Sequence, residues 1–336
     1  MKILLTGDLF HNYDKDILEA TIELGHEVDF LFNNLHGPFN LLKNFHKKLA
    51  FGILPNKLGI HFFVKQNVKR YNKTIQRLTS MHNYDLIVFI GGRTIEQNQL
   101  AQIKSPKVLW FMDGIELNPH VKVKLSLFDY VFFFEPTDTT NYKSILNNKC
   151  SSLHLGFNPK RFYPINSSFK YDFSFIGSYY DVRNDLLSKI VKEDSKGLII
   201  GDYHRSNNPI IKKLNTRKQI EIAEVNEIYN QSIFNLNIHH VQSKEGMNVR
   251  TFEILGSGNI QFVENQKAAL ELFKDGENIL FYDSPEMLQK KFDYYSSKPE
   301  LLERIRKNAY NVAIANHTWK NRMEEMILIL KTEKVI

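Results

Sequence analysis

YDFSFIGS, residues 171–178, is a short apolar run that breaks on a glycine, and the sequence just before it has a different texture. Residues 158–170, NPKRFYPINSSFK, carry two prolines among polar residues and read as an interdomain linker. After the run, strand and helix alternate again. A helix begins at about Val182, GLIIGD (197–202) follows, and a second helix lies near Ile220 to Tyr229. Then come SIFNLNI (232–238), a helix through Arg250 and Ile254, NIQFVEN (259–265) and ENILFYD (277–283). Short continuous apolar runs of this kind belong in a parallel sheet covered on both faces. The restart predicts a second α/β domain.

The first half follows the same rhythm. KILLTG (2–7) reads as a strand, about Asp14 to Leu24 as a helix stopped by Gly25, and HEVDFLF (26–32) as the next strand, a β-α-β opening. DLIVFIGG (85–92), KVLWFMDG (107–114), DYVFFFEP (129–136) and SSLHLGF (151–157) continue it. The expected organisation is a doubly wound α/β domain over 1–156, a linker over 157–170, a second such domain over 171–316, and a terminal helix over 317–336. In that helix Trp319, Met323, Met326, Ile327 and Leu330 form one apolar stripe, able to return to the first domain.

A chain of 336 residues, 43% apolar and 24% charged, exceeds what one core usually fills. There is no run of about 18 uncharged apolar residues and no signal-like start, so the reading is cytoplasmic. Cys150 is the single cysteine, which excludes an intramolecular disulfide and a multi-cysteine metal site. The net charge of +7 is uneven: from Leu31 to Tyr84 there is no Asp or Glu, while lysines and arginines interleave with phenylalanines. Such a segment suits an anionic membrane surface at the inner face of the cell membrane. Solvated lysines and nucleic acid are the other readings of the same composition.

Residues 245–258, EGMNVRTFEILGSG, bear most on chemistry. Asn248 can cap a helix running to the Gly256-Ser257-Gly258 stop, with Val249, Phe252 and Leu255 on its buried side. On the residues alone two readings stay open. Arg250 and Glu253 can form a surface i,i+3 pair worth a few tenths of a kcal/mol. Alternatively, the helix start and the Arg250 guanidinium form an anion site, at the carboxyl end of a sheet where ligands of such folds bind.

Glu245 and Glu253 match the E-x7-E pattern of retaining glycosyltransferases with the GT-B fold. NVRTFEILGSGNIQFVENQKAALELFKDGENILFYDSPEMLQKKFDYY (248–295), NHTWKNR (316–322), YDFSFIGSYYDVRNDLL (171–187) and LHLGFNPKRFYP (153–164) resemble the glycosyltransferase family 1-type domain of CgeB-like proteins. The resemblance covers roughly residues 150 to 325, and EGMNVR stands where EGFGLP is usual. It implies two tandem Rossmann-like doubly wound domains with a central cleft and a C-terminal crossover helix. It implies transfer from a nucleotide-sugar donor with retention, to a glycan or lipid-linked acceptor, without metal or other cofactor. By the same resemblance Glu245 lies beside the donor sugar and Glu253 accepts from the ribose. Asn248, Val249 and Arg250 contact the diphosphate, Gly177 and Ser178 let it approach the backbone, and Arg183 adds charge. Tyr203 and His204, read as an exposed pair, are placed to stack on the base.

The acceptor is expected at the strand ends of the first domain: Asp8 and His11, Gly91 to Arg93, and Asp113. Asp113 and His11 are the expected catalytic groups there, as carboxylate or imidazole orienting or deprotonating a hydroxyl. No metal cluster and no nucleic-acid partner are expected. A nucleotide-sugar epimerase and a non-catalytic, membrane- or nucleic-acid-associated protein of the same fold are the competing readings.

Overall fold

In the computed structural model, residues 1–8, 13–33, 56–217, 219–239 and 243–336 are described, with backbone alone for 56–64. His11 lies outside the described residues, as does much of the acid-free segment.

Continuous apolar sequence produces two all-parallel sheets. The first unit, residues 1–153 with 323–336, carries β1 (Lys2–Asp8), β2 (Glu27–Asn33), β3 (Leu86–Ile90), β4 (Lys107–Phe111), β5 (Tyr130–Phe133) and β6 (Cys150–Ser152). They lie in the order β2-β1-β3-β4-β5-β6, so the chain winds outward in both directions from β1. Ile3 sits opposite both Val28 and Leu86, and Val88 opposite Val108. Every residue of β3 is buried, as are Val108 to Phe111 of β4, which is why these runs lack the alternation of a one-faced sheet. Leu4, Ile87, Phe89, Leu109, Phe111 and Phe133 share one core with Tyr71 and Ile75 from the helix Asn56–Met81.

The second unit, residues 154–322, carries β7 (Tyr171–Ile176), β8 (Gly197–Ile200), β9 (Asn215–Arg217), β10 (Ser232–Asn237), β11 (Gln261–Glu264) and β12 (Leu280–Tyr282). Their order, β12-β11-β10-β7-β8-β9, repeats the first sheet's logic with β7 and β10 at the centre. Phe173, Phe175, Phe234, Leu236, Phe262 and Leu280 build its core. The division falls after Leu153 where the sequence places it at 156, and the stretch read as a linker belongs to the second unit. Of SSLHLGF only Ser151 and Ser152 are in a strand, and Phe157 makes an isolated bridge to Thr318. The last helix, Trp319–Thr332, buries Trp319, Met323, Met326 and Leu330, and from Met323 onward it belongs to the first unit.

Where the second unit closes, Arg322 and His317 are buried, with the half-buried His154 nearby. Arg322 Nε donates to the Leu155 carbonyl at 3.0 Å, and its Nη2 lies 2.6 Å from His317 Nδ1. Arginine can only donate, so Nδ1 accepts and the His317 proton sits on Nε2. The His317 ring lies 5.3 Å from the Phe252 ring and 5.2 Å from the Phe273 ring, centroid to centroid. Burial, with Arg322 and His154 beside it, brings His317 down to about 3, and burial with Arg322 brings His154 down to about 4. Both are therefore neutral in the folded protein and titrate near 6.5 when unfolded. Their contribution is complete above about pH 6.5 and is lost as pH falls toward their folded values. Urea unfolding of the second unit should give a stability roughly 2–4 kcal/mol lower at about pH 5 than at about pH 7.5. Replacing both histidines by glutamine should flatten that difference.

Candidate functional site

The carboxyl edge of the second sheet gathers side chains from several separate stretches. Gly177 follows β7, and Arg183 comes from the helix Asp181–Ile190. Arg250 comes from the helix Val249–Gly256, and Tyr203 from a single turn after β8.

A buried amide network sets the start of the Val249–Gly256 helix. Asn248 is its cap, the side-chain oxygen accepting from the Thr251 amide at 3.2 Å. Its Nδ2 donates to Asn237 Oδ1 at 2.8 Å, at the end of β10. Asn237 in turn donates to Thr251 Oγ1 and to Gln261 Oε1, both at 2.9 Å, and Gln261 returns a bond to the Thr251 carbonyl at 2.8 Å. Asn237, Thr251 and Gln261 are fully buried, so each bond replaces a water that is excluded. Phe252 and Leu255 face the core, whereas Val249 is only half-buried.

Two guanidiniums meet at the Gly177 loop. Arg183 is buried; its Nε donates to the Ile238 carbonyl at 3.0 Å and its Nη1 to the Ser178 carbonyl at 3.1 Å. Arg250 Nη1 donates to the Ile176 carbonyl. A Cβ on Gly177 would stand 2.5 Å from Arg250 Nη1 and 3.0 Å from the Phe175 ring, so glycine is what leaves Arg250 in place. Both rest near the Phe175 ring, at 5.9 Å for Arg183 and 6.0 Å for Arg250. Burial and the nearby Arg250 charge bring Arg183 down to about 10, still a cation at neutral pH. Among the described residues neither arginine forms an ion pair with a carboxylate. Two cations held together without an anion between them make a site that an anion stabilises.

The remaining residues expected here are distributed unevenly. Glu245 is half-buried just ahead of the helix, its carbonyl accepting from the Ala268 amide at 3.3 Å, and Glu253 is buried within the helix. Tyr203 corrects the sequence reading of an exposed ring. It is 0% exposed, edge-on to Phe175 at 5.6 Å and beside Tyr179 at 5.3 Å, with its hydroxyl donating to the Ser178 carbonyl. A ring with no exposed surface offers no face to a base; it buttresses the Gly177 loop instead. Gly201, with φ +144°, is needed beneath it, since a Cβ there would lie 2.1 Å from the Gly177 carbonyl oxygen. His204 stays half-exposed, with Nδ1 3.9 Å from Asp202.

In the first unit the strand-end residues do come together. Asp8 accepts from the Arg93 amide at 3.0 Å and from the Thr94 hydroxyl. Arg93 donates to Asp113 Oδ2 at 2.7 Å and to Asn118 Oδ1 at 3.1 Å. Asp113 is thus held in an ion pair, and a hydroxyl reaching that oxygen must share it with a guanidinium. Lys124, buried, donates to the carbonyls of Gly92 and Ile95 at 2.8 and 2.7 Å, and burial brings it down to about 8. His120 belongs to the same neighbourhood: burial, then Lys124 and Arg93, disfavour its charged form, while Asp8 favours it. Sequence reasoning missed His120 because the helix that carries it is only four residues long, Pro119–Lys122.

Residues 176–327 match the family model described as glycosyl transferase-like. The match covers a little under half of the chain. No curated protein sequence matches the chain. Among solved structures, sucrose-phosphate synthase from Thermosynechococcus elongatus superposes with a TM-score of 0.67 at 12% identity, covering 98% of each chain. Anabaena HepE in complex with UDP-glucose gives 0.64 at 13% identity, over 99% of this chain and 100% of that one. A glycosyltransferase from Rickettsia africae gives 0.62 at 15%, over 98% of each. The chain has the GT-B fold of these glycosyltransferases, two parallel sheets in tandem with helices about them. Among the described residues no group of three or more His, Cys, Asp or Glu is placed to hold a metal ion, and no helix is long and apolar enough to cross a membrane.

Asn237→Ala should lower stability by about 1–3 kcal/mol in chemical unfolding, because it leaves Asn248, Thr251 and Gln261 short of buried partners. Gly177→Ala, by contrast, should leave the unfolding midpoint nearly unchanged and displace Arg250, visible as a loss of nucleotide binding of at least about tenfold.

Proposed function

We propose that this protein transfers a sugar from a nucleoside-diphosphate sugar, held by the second unit, to a hydroxyl of a cell-envelope glycan or lipid-linked acceptor. The observation that carries the reading is the pair Arg183 and Arg250, which among the described residues form no ion pair with a carboxylate and are seated on the carbonyls of Ile176, Ser178 and Ile238. HepE, of the same fold, is known with UDP-glucose, which supports a uridine nucleotide as the first donor to test.

Glycosyl transfer breaks the bond between the anomeric carbon and the diphosphate oxygen, and the electron pair leaves on the diphosphate. The acceptor oxygen bonds to the anomeric carbon and loses its proton. The barrier falls when the developing charge meets fixed cations that need no reorganisation. Arg183 and Arg250 supply them, together with the amide end of the Val249–Gly256 helix, and on this reading the reaction needs no metal ion. Glu245 lies ahead of that helix to hold sugar hydroxyls, Glu253 serves the ribose, and retention is the proposed outcome. Acceptor recognition falls to Asp8, Arg93, Asp113 and His120 of the first unit.

The helix Asn56–Met81 supports an acceptor at a lipid surface. Lys65, Lys69, Arg70, Lys73 and Arg77 are exposed along it, while Tyr71 and Ile75 on the opposite side are buried. Five cations on one solvent face, with no acid between them, complement anionic headgroups.

Calorimetry with UDP, GDP and dTDP tests the donor reading: one should bind, and Arg250→Ala should weaken it by about 10- to 100-fold. No binding to any of the three would overturn it, and turnover of a nucleotide sugar into its epimer without acceptor would favour the epimerase. On vesicles with anionic lipid, the triple change Lys69→Glu, Lys73→Glu and Arg77→Glu should cost at least ~3 kcal/mol of binding at about 1 kcal/mol per cation. Equal binding to neutral vesicles would remove the membrane from the reading.

A further inference from the structure

His239 follows β10 by two residues, at the same sheet edge as Gly177. Its side chain is 1% exposed, and among the described residues neither ring nitrogen has a hydrogen-bond partner. Its backbone amide donates to Glu264 Oε2 at 3.1 Å, and the ring Nδ1 stands 3.7 Å from that same oxygen, too far for a bond. Buried imidazoles normally find partners, and one that has none while facing a carboxylate is an open position in the network. Arg183 is fastened to the carbonyl of Ile238, the residue immediately before, so the guanidinium and the imidazole share one short stretch of backbone.

The charges that face His239 come from three elements. Glu264, from β11, favours the imidazolium; Arg250 and Arg183, from two helices, oppose it, and so does burial, the largest influence. The Tyr282 hydroxyl, from β12, is buried near Glu264 and is also unpartnered, held protonated by burial. In the free protein, burial and two cations outweigh one carboxylate, and His239 is neutral. A bound diphosphate shifts the balance, because its negative charges cancel the two guanidiniums and add their own attraction to that of Glu264 against the cost of burial.

We propose that His239 takes up a proton from solvent when a nucleoside-diphosphate sugar binds, closing an ion pair with Glu264 and giving the site a third positive charge. No covalent bond changes: the buffer loses one proton and the imidazole gains it. The inference rests on the donor reading above. It makes His239 a positioning and charge-compensating residue, present before the leaving diphosphate gains its extra negative charge. It also fixes a sign: a group that binds a proton on complexation makes binding tighter as pH falls, between its free and bound pKa values.

Calorimetry with UDP-glucose at about pH 7, in two buffers of different ionisation enthalpy, reads the proton directly. This ligand suits the test because its phosphates do not titrate near neutrality. The wild-type protein should take up a fraction of a proton approaching about one per ligand, and its affinity should rise by up to about tenfold per pH unit as pH falls toward about 6. His239→Gln keeps a polar side chain that cannot titrate, and should bind with uptake near zero and a flat pH profile. Glu264→Gln removes the stabilising carboxylate and should also abolish uptake; it serves if the first variant does not fold. Binding by the wild type without proton exchange, or full uptake retained by a folded His239→Gln, overturns the proposal. Failure of UDP-glucose, GDP-mannose and dTDP-glucose alike to bind would instead bring down the donor reading and this inference with it.

Discussion

The amide chain from Asn248 through Asn237 to Gln261 is what the rest of the second unit's chemistry depends on. It bonds the first turn of a helix to two parallel strands, with the bonds from Asn237 and Gln261 hidden from water. Apolar packing alone would let that helix slide or rotate, because oil-like contacts carry little directional preference. Amides do carry it, and an unmade bond in this setting is expensive. The arrangement therefore fixes which way the helix's free N–H groups point and where Arg250 emerges.

The two sheet edges handle arginine in opposite ways. At the first, Arg93 reaches Asp113, while its own backbone and that of its neighbours are tied to Asp8 and Lys124. The charges there nearly cancel within the cluster. At the second, among the described residues, the hydrogen bonds of Arg183 and Arg250 go to carbonyl oxygens, and both guanidiniums lean on Phe175. Carbonyl dipoles can orient a guanidinium without neutralising it, so the field stays positive and awaits a mobile anion. The same polypeptide architecture, used twice, thus gives one closed electrostatic set and one open one.

Much of this was legible in the sequence, for reasons that can be named. Runs such as DLIVFI and KVLWFM are apolar on both faces because both faces are covered, and they map onto β3 and β4. Asn248 was readable as a cap because capping is local: its partner, Thr251, is three residues away. Tyr203 was misread for the opposite reason. In YHR it sits among polar neighbours, yet its packing partners Phe175 and Tyr179 come from elsewhere in the chain. Likewise the anchors of Arg183 include Ile238, 55 positions on, and nothing local announces them. β9 escaped notice because three residues, NTR, carry no apolar signal and pair only at the sheet's rim. Nothing in the sequence around His239 marks it; its burial against Glu264 comes from the fold.

The terminal helix has a consequence for how the molecule is made. Met323, Met326 and Leu330 complete the unit whose first strand is Lys2–Asp8, so the earliest and latest parts of the chain belong to one folding body, with the other body inserted between them. During synthesis the inserted body, contiguous in sequence, can finish while the outer one still lacks its closing piece. Order of emergence from the ribosome and order of completion are therefore inverted: the half that starts first is the half that ends last.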